Sequence, residues 1–313
     1  MSADSIATLD ELYRQFDSLN VEGGWHRKSP ALWPEPRHGL LPFCWRWQDM
    51  KPVLDAAGRL VSTEFAERRN LTLRNPAHGN AYATVRTIVA AYQMMLPGET
   101  ARCHRHTPNA LRLVLEGRGT YTVVDGDRLE MEPGDVLLTP NWSWHAHGTE
   151  GAEPCYWLDY LDVPLVHLLE PMFFERHPQD FESAVRAVAS SPMVFPFKET
   201  MERLLVAGPD EHGTSDRDVE LGSPALRSIE LHMQILRATR ITERVATTAN
   251  QVFTVVSGRG STDVDGTLLN WSRGDTVAVP AWRPYSHHPS EESVLFKVSD
   301  APVMRQLGFL RTR

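Results

Sequence analysis

Apolar positions along the chain predict a helical start followed by a long region of short strands. Residues 7–20 carry apolar side chains at helical spacing, namely Leu9, Leu12, Tyr13, Phe16 and Leu19. A segment rich in Trp and Pro follows to about Pro52, and a second helix is predicted near residues 47–60. From about Thr72 onward, short apolar runs such as 120–124 and 136–139 alternate with Gly, Pro and Asp-Gly turns, which is typical of β-strands.

The strand-rich region is repeated within the chain. Gln234 follows Gln93 by 141 residues, and Pro280 follows Pro140 by 140, so a single deletion separates the two copies. Further matches pair residues 115–119 with 256–260, 123–126 with 263–266, 133–136 with 273–276, and 140–142 with 280–282. Internal repeats of this length indicate two copies of one fold unit. The sequence therefore predicts an all-β protein with two barrels of the same kind.

The repeat sets the predicted domain limits. We expect an N-terminal helical arm, rich in Trp and Pro, at residues 1–70 and a first barrel at 71–164. A connector at 165–224 and a second barrel at 225–313 complete the chain. Within the connector, a helix is predicted near residues 181–189 and an exposed polar loop at 208–216.

Composition narrows the class of protein. The chain has 313 residues, of which 42% are hydrophobic and 23% charged, with a net charge of -8. This charge, without basic blocks, argues against nucleic acid or an anionic membrane as partner. No apolar run is long enough to span a membrane, the N-terminus lacks the pattern of a signal peptide, and the three cysteines have no disulfide-like spacing. We therefore expect a cytoplasmic protein.

Three histidines form the strongest chemical motif. His104 and His106 in an H-x-H on one strand project to the same face, and His145 on a neighbouring strand can complete a metal-binding set. With Gly98, Gly117, Gly134 and Pro140 around them, these residues resemble the two motifs of the cupin barrel. That barrel usually supplies a fourth ligand, a Glu, at the position that Ala110 occupies here. A three-histidine set leaves one face of the metal open, as a reactive site requires.

The second copy has lost these ligands. Carried across the repeat, His104, His106 and His145 correspond to Val245, Thr247 and Tyr285, which are listed here in the same order. We expect the second barrel to be metal-free and to support oligomerisation, as a dimer or a tetramer.

Over nearly the whole chain, further segments resemble the ring-cleaving dioxygenases of the gentisate 1,2-dioxygenase and salicylate 1,2-dioxygenase family, which includes 5-nitrosalicylate dioxygenase. The matching segments are 67–69, 75–76, 96–99, 104–108, 110–112, 116–117, 137–142, 144–148 and 169–175, together with Gln93. The resemblance implies a bicupin with one Fe(II) per chain, held by His104, His106 and His145 in the first barrel. It also implies insertion of both atoms of O2 into a 2-hydroxybenzoate, between the carbons that carry the carboxylate and the hydroxyl.

We also assign candidate roles to residues that are close to the metal ligands in sequence or that strand alternation places on the same side as the ligands. Arg68 and Arg112 are candidates to hold the substrate carboxylate, because a guanidinium makes bidentate contacts with it. His147 is the candidate acid/base that takes the phenol proton, and Gln93 a hydrogen-bond donor to substrate or oxygen. Asp159 can orient one of these side chains, and the remaining candidates for the pocket are Asn70, Val89, Ala91 and Trp142.

Each assignment has a structural alternative. Arg68 or its neighbour Arg69 can form an ordinary ion pair, and Trp142 can belong to the core. Gln93 and His147 have counterparts in Gln234 and His287 of the metal-free copy, so both can be structural. Asp159 can be a buried hydrogen-bond acceptor.

The sequence does not decide among several substrates of one chemical class, the 2-hydroxybenzoates. Gentisate is the first expectation, with salicylate or 5-nitrosalicylate as alternatives, and Asn70 is the polar residue that could contact a group at ring position 5. Other classes remain as alternatives: a metal-dependent cupin isomerase and a non-catalytic binding bicupin. Ala110 in the Glu position argues against the isomerase, and the intact first ligand set argues against the binding protein. A ligand-sensing regulator would need a DNA-binding segment, which the sequence does not contain.

Overall fold

The computed structural model describes residues 6–25, 31–66, 68–182, 185–188, 190–222 and 225–313. It separates into two compact units, Met1–Arg37 and His38–Arg313. In the first unit, helix α1 spans Leu9–Leu19, which confirms the predicted helix. Thr8 and Glu11 cap its start reciprocally, satisfying backbone N–H groups that the first turn leaves free.

Within the described residues, the second unit contains four more helices and every strand. The helices are α2 Trp47–Leu60, α3 Val163–Leu169, α4 Phe197–Val206 and α5 Ala301–Gln306. The strands of its first half are β1 Phe43–Trp45, β2 Arg69–Thr72, β3 Val89–Met95, β4 Thr100–His106, β5 Ala110–Glu116, β6 Thr120–Val124, β7 Asp127–Met131, β8 Val136–Thr139, β9 His145–Thr149 and β10 Cys155–Leu161. Those of the second half are β11 Phe174–Arg176, β12 Arg186–Ala187, β13 Val194–Phe195, β14 Arg217–Leu221, β15 Glu230–Leu236, β16 Gln251–Ser257, β17 Arg259–Val264, β18 Thr267–Ser272, β19 Thr276–Val279, β20 Tyr285–Pro289 and β21 Ser293–Ser299.

The strands form two sheet pairs. In the first pair, a sheet of order β13-β8-β5-β10-β3-β2 faces one of order β11-β4-β9-β6-β7-β12. In the second, a sheet of order β1-β19-β16-β21-β15-β14 faces the smaller sheet β18-β17-β20. The arrangement confirms the all-β, two-barrel prediction, and the helix predicted at 47–60 is α2.

The barrels pack against each other through the outer faces of two sheets, the one that contains β3 and β10 and the one that contains β15 and β21. Because side chains alternate along a strand, β3 and β10 direct one set of residues into the first barrel and the other toward the second. The outward set includes Tyr92 and Tyr160, which belong to one large apolar core together with Met233 and Phe296 of the second barrel. The Tyr92 hydroxyl donates to the Gly274 carbonyl at 2.6 Å, so a buried polar group is satisfied across the interface.

Each barrel also takes a strand and a helix start from the chain segment that precedes the other barrel. Strand β1 comes before the first barrel but pairs with β19 of the second, whereas β13 comes before the second barrel but pairs with β8 of the first. Asp275 accepts the backbone N–H of Trp47 at 2.8 Å, and Asp135 accepts that of Phe197 at 2.7 Å.

The turns before these aspartates require glycine. Gly134 and Gly274 have φ values of 92° and 87°, and a Cβ at either would lie 2.5 Å from Phe197 or 2.6 Å from Trp47. The two halves thus exchange equivalent strand–helix segments with the same contacts.

Two predictions for the connector need correction. The helix predicted at 181–189 is wrong for the described part of that segment: Arg186–Ala187 is a short strand parallel to β7, while residues 183, 184 and 189 lie outside the described residues. The helices near the connector are α3 and α4. The loop at 208–216 is exposed only in its first half, because Thr214, Ser215 and Asp216 are buried.

The domain limits at residues 70, 164 and 224 stay predictions. Among the described helices, none is long and apolar enough to cross a membrane.

Candidate metal centre and active site

Three histidine side chains converge inside the first barrel. Strand β4 carries His104 and His106, and antiparallel pairing places His145, the first residue of β9, directly opposite His104. The ring centroids of His104 and His106 lie 4.3 and 4.8 Å from that of His145. One ligand atom from each of the three lies within 4.8 Å of the others, and no comparable group of His, Cys, Asp or Glu is found elsewhere in the described ranges.

Backbone carbonyls fix the tautomer of each ring. The Nδ1 atoms of His104, His106 and His145 lie at hydrogen-bond distance from the carbonyl oxygens of Arg102 (3.0 Å), Pro108 (2.8 Å) and Ser143 (3.0 Å), respectively. Since a carbonyl oxygen only accepts, each Nδ1 carries the proton and each Nε2 keeps its lone pair. Metal-binding histidines are commonly oriented in this way.

Electrostatics keeps the three rings neutral. Burial, followed by the charge of Arg68, lowers the pKa of His104 to about 4. Burial also lowers the pKa of His106, and that of His145 falls well below its ordinary value because burial is joined by its two neighbouring histidines. Neutral imidazole is the form that binds metal, so the donor set fits a transition-metal ion. Ala110 is buried on β5 and offers no fourth ligand.

A buried arginine adjoins the centre. Arg112 is 1% exposed; its Nε lies 3.3 Å from Asp159 Oδ1, and its Nη1 donates to Thr122 and Thr139. Gln93 Nε2 donates to the other oxygen of Asp159, whereas Gln93 Oε1 is buried and has no partner among the described residues. Asp159 therefore orients both Arg112 and Gln93, as predicted for one such side chain, although its role in the reaction stays a prediction.

Arg68 and Arg69 lie in different surroundings. Arg68 is half-buried, its charge lowers the pKa of His104 and of His147, and it forms no ion pair with any described residue. Arg69 is buried, pairs with Glu99 and donates to the Val61 carbonyl at the end of α2. The structural alternative thus applies to Arg69, and Arg68 supplies an unpaired positive charge near the histidines.

His147 is buried without a hydrogen-bond partner. It is 1% exposed, neither ring nitrogen bonds to a described residue, and its ring centroid lies 6.0 Å from those of His145 and Trp157. Burial, then the charge of Arg112, holds its pKa well below the ordinary value. Its counterpart His287 differs, since His287 Nδ1 is hydrogen-bonded to Thr262 at 2.8 Å. Both nitrogens of the neutral His147 ring are therefore available for a hydrogen bond or a proton, as far as the described residues are concerned.

The predicted pocket residues divide into two groups. Val89 and Ala91 are buried on β3 on the same face as Gln93, and Asn70 lies on the edge strand β2 directly opposite Gln93. Paired residues of an antiparallel sheet share a face, so Asn70 is on the metal-site side, and it is exposed.

Trp142 is not brought together with these residues. Its ring packs against the guanidinium of Arg105 at 4.5 Å and against Phe173 at 6.1 Å. Arg105 alternates with the ligands on β4, so it points to the other face of that strand. The backbone of Trp142 has φ 64°, and Trp282 at the equivalent turn of the second barrel has φ 61°. This repetition favours the structural alternative for Trp142.

Phe174 was missed by the sequence analysis. Strand β11 pairs with β4, with Phe174 opposite His106, and the ring of Phe174 lies 5.3 Å from that of His104. The residue belongs to one of the segments that resemble the dioxygenases, but nothing in its local pattern predicts that the connector returns to the edge of β4.

Comparisons with known proteins place the chain in a family. The family model described as "Cupin domain" matches residues 91–161. The chain is 36% identical to a 5-aminosalicylate 1,2-dioxygenase of Comamonas sp, covering 98% of this chain and 91% of that one, and 31% identical to gentisate 1,2-dioxygenase 1 of Aquipseudomonas alcaligenes, covering 96% and 95%. The crystal structure of a salicylate 1,2-dioxygenase from Pseudaminobacter salicylatoxidans superposes with a TM-score of 0.90 at 28% identity, covering 97% of both chains.

Two barrels with one three-histidine centre define the protein as a bicupin with a metal site. With relatives this similar over nearly their full length, the chain belongs to the gentisate and salicylate 1,2-dioxygenase family and is a ring-cleaving dioxygenase. The predicted family, fold class and type of reaction are confirmed.

Proposed function

We propose that the protein is an Fe(II)-dependent 1,2-dioxygenase of a 2-hydroxybenzoate, with one iron per chain held by His104, His106 and His145. Both atoms of O2 enter the product, between the carbons that bear the carboxylate and the hydroxyl. The three convergent histidine side chains support a metal, and the names of the relatives support dioxygenation of an aromatic acid. The choice of iron follows from the family resemblance. When bound, the iron supplies the redox chemistry that O2 requires.

The observation that carries the substrate class is the positive charge beside the histidines. Asp159 neutralises part of the charge of Arg112, but Arg68 has no ion-pair partner in the described segments. A carboxylate held by Arg68 and by the Nη2 end of Arg112 would place the neighbouring hydroxyl toward the metal-site residues. An anion is therefore favoured over a neutral aromatic compound.

His147 and Gln93 are the groups of this chain available for proton and hydrogen-bond chemistry. A neutral, uncommitted His147 can accept the phenol proton at a ring nitrogen, and the buried Gln93 amide can hold bound substrate or oxygen in place. Both lie inside the barrel, where burial excludes bulk water and strengthens such contacts.

For the ring substituent we propose a polar group at position 5, with gentisate first and 5-aminosalicylate or 5-nitrosalicylate as the alternatives. Asn70 on the edge strand supports this choice, because its carboxamide can both donate and accept a hydrogen bond. The Comamonas relative is named for a 5-amino substrate.

The test is oxygen uptake by protein loaded anaerobically with Fe(II) and offered gentisate, salicylate, 5-aminosalicylate and 5-nitrosalicylate in parallel. We expect uptake with at least one 5-substituted compound, and loss of both bound iron and uptake in His145→Ala. The matched control is Tyr285→Phe, at the equivalent position of the second barrel, which should keep both. Bound iron without uptake on any of the four compounds would refute the substrate class.

A second variant tests the role of Asn70. In Asn70→Ala we expect the rate with the 5-substituted substrate to fall about tenfold relative to salicylate, because a lost hydrogen bond costs about 1 kcal/mol or more. An unchanged ranking of the four compounds would show that Asn70 does not discriminate among them.

We also propose that the chain forms a homo-oligomer, a dimer or a tetramer. Large apolar side chains are exposed at Leu168, Leu169, Phe173 and Phe174, next to the edge strand β11. Light scattering measures the mass in solution, and a monomer at micromolar concentration would refute the proposal.

A further inference from the structure

The second barrel keeps a cavity where the first barrel has its metal centre. The cavity measures about 480 Å³, and its lining includes Val245, Thr247 and Tyr285, which replace the three histidine ligands. Without ligand atoms in these positions, the described residues of the second barrel form no comparable metal site, yet the space between them stays open.

Strand register identifies what replaces the pocket residues of the first barrel. Lys297 on β21 lies opposite His232 and Phe253, just as Asp159 on β10 lies opposite Ala91 and Arg112. Lys297 therefore occupies the position of Asp159, and His232 that of Ala91. By the same pairing, Asp218 lies opposite Gln234 as Asn70 lies opposite Gln93. The second barrel thus has a lysine in place of an aspartate, a histidine in place of an alanine and an aspartate in place of an asparagine.

Most of these charges are mutually satisfied. His232 Nδ1 lies 2.7 Å from Asp218, and its Nε2 lies 3.8 Å from Glu230. Although burial opposes the charged form, hydrogen bonds to these two carboxylates raise the pKa of His232 to about 9. Arg305 pairs with Glu230 at 3.2 Å.

The other carboxylates of the lining are also accounted for. Asp210 accepts from Thr214 and Ser215, Glu211 pairs with His212, and Glu220 is exposed at the rim.

Two groups in the cavity make no hydrogen bond or ion pair with the described residues. Lys297 is half-buried, and its charge lowers the pKa of Asp218 and of Glu230, but its ammonium is not in direct contact with either carboxylate. Gln251, at the position of Ala110, is 5% exposed, and its Oε1 has no partner among the described residues. A buried acceptor without a partner is unfavourable, so such groups are normally satisfied by water or by a ligand.

We infer that the cavity of the second barrel binds a small carboxylate that carries a hydrogen-bond donor, with the carboxylate at Lys297 and the donor at Gln251 Oε1. The donor can be a hydroxyl, as in a hydroxy acid, or an ammonium, as in an amino acid. Either molecule would satisfy the two unpartnered groups at once and leave the network around His232 intact. The inference does not rest on the function proposed for the first barrel.

Calorimetric titration with three-carbon acids tests this inference. Lactate, alanine and propionate share the carboxylate, but carry a hydroxyl, an ammonium and no donor, respectively. We expect lactate or alanine to bind, the stronger of them identifying the donor, and propionate to bind at least about tenfold more weakly because it leaves Gln251 Oε1 unpaired. Failure of all three to bind, or equal binding of all three, would overturn the inference.

Variants locate the binding. Lys297→Met should weaken the better ligand at least about tenfold, Gln251→Leu should abolish its advantage over propionate, and Lys297→Arg should retain binding. The control is Arg68→Met, which removes a cation from the first barrel and should leave the titration unchanged. If Lys297→Met binds normally while Arg68→Met does not, the ligand occupies the first barrel and the inference is wrong. If Lys297→Met does not fold, the comparison of Gln251→Leu with the Arg68→Met control decides.

Discussion

At the scale of single residues, Arg68 and Arg69 show how position decides function between chemically identical neighbours. Arg68 has no ion-pair partner among the residues described and acts on the histidines through its charge. Arg69 is buried against Glu99 and the end of α2, where its guanidinium satisfies the carbonyl oxygens that a helix leaves free. One arginine is available to a ligand and the other stabilises the fold.

Replacing each arginine by Met should therefore separate binding from stability. For Arg68→Met we expect KM for the aromatic substrate to rise about ten- to a hundredfold, because a charge-assisted contact is worth about 1.5–3 kcal/mol, with little change in Tm. For Arg69→Met we expect the free energy of unfolding to fall by about 3 kcal/mol, since Glu99 is left buried and unpaired, with KM nearly unchanged. Steady-state kinetics and thermal unfolding of both variants check this. A stability loss in Arg68→Met with normal KM would reverse the assignment.

The candidate site was predictable from sequence only as far as strand alternation reaches. His104 and His106 share a face by period two, and Arg112 lies on the inner face of its own strand for the same reason. Phe174 reaches the site only because β11 pairs with β4 after a long excursion of the chain, which local pattern does not encode. The ring of Trp142 points away from the metal site because the backbone of this residue is in the left-handed region, a conformation that the residue type does not predict.

At the scale of elements, the two halves exchange the segments that precede them. Strand β1 pairs with the sheet edge of the second barrel, and the start of α2 is hydrogen-bonded to Asp275 of that barrel. In the same way, β13 pairs with the sheet edge of the first barrel, and the start of α4 is hydrogen-bonded to Asp135. From the sequence, these segments are predicted to be an arm and a connector, because their side chains do not repeat even though their contacts do. Equivalent contacts in three dimensions require only a large apolar side chain at each position. Trp47 and Phe197 provide it, and each packs against a glycine turn.

Because of this exchange, Asp275 and Asp135 should stabilise the fold in the same way. Asp275→Ala removes the acceptor for the Trp47 N–H and for Ser272, and Asp135→Ala removes that for Phe197 and Glu132. We expect each change to lower the free energy of unfolding by about 1–3 kcal/mol, because buried N–H groups lose their partners.

Denaturant unfolding of both variants, without loss of metal binding, is the measurement. Glu291→Ala serves as control, since it removes only a surface pair with Arg259 and should cost less than about 1 kcal/mol. A variant of Asp275 as stable as this control would show that the exchanged helix start does not support the fold.

At the scale of the whole molecule, the two barrels have diverged into opposite electrostatic environments. The first barrel holds neutral histidines whose pKa values burial lowers, with His104 at about 4. The second barrel holds a charged histidine, His232, whose carboxylate neighbours raise its pKa to about 9. One fold unit thus hosts a site for a metal and a site stabilised by ion pairs, and the difference comes from a few inward-facing positions on equivalent strands.

Metal-free protein should consequently lose stability toward both acid and alkali, with the alkaline loss in the second barrel. As the pH falls from about 6.5 to about 4, His104 becomes protonated in the unfolded chain but stays neutral in the folded protein. About 3 kcal/mol of stability is therefore lost over this range. As the pH rises from about 6.5 to about 9, the unfolded chain releases a proton that folded His232 retains, so a similar contribution, about 3 kcal/mol, is lost. Hydrogen exchange at pH 5 and pH 9 should show the acid effect in β4 and β9, and also in β20 because burial lowers the pKa of His287 to about 3, and the alkaline effect in β15 and β21. His232→Gln should remove the alkaline loss and leave the acid loss, whereas an alkaline loss that persists in this variant would show that His232 is not its source.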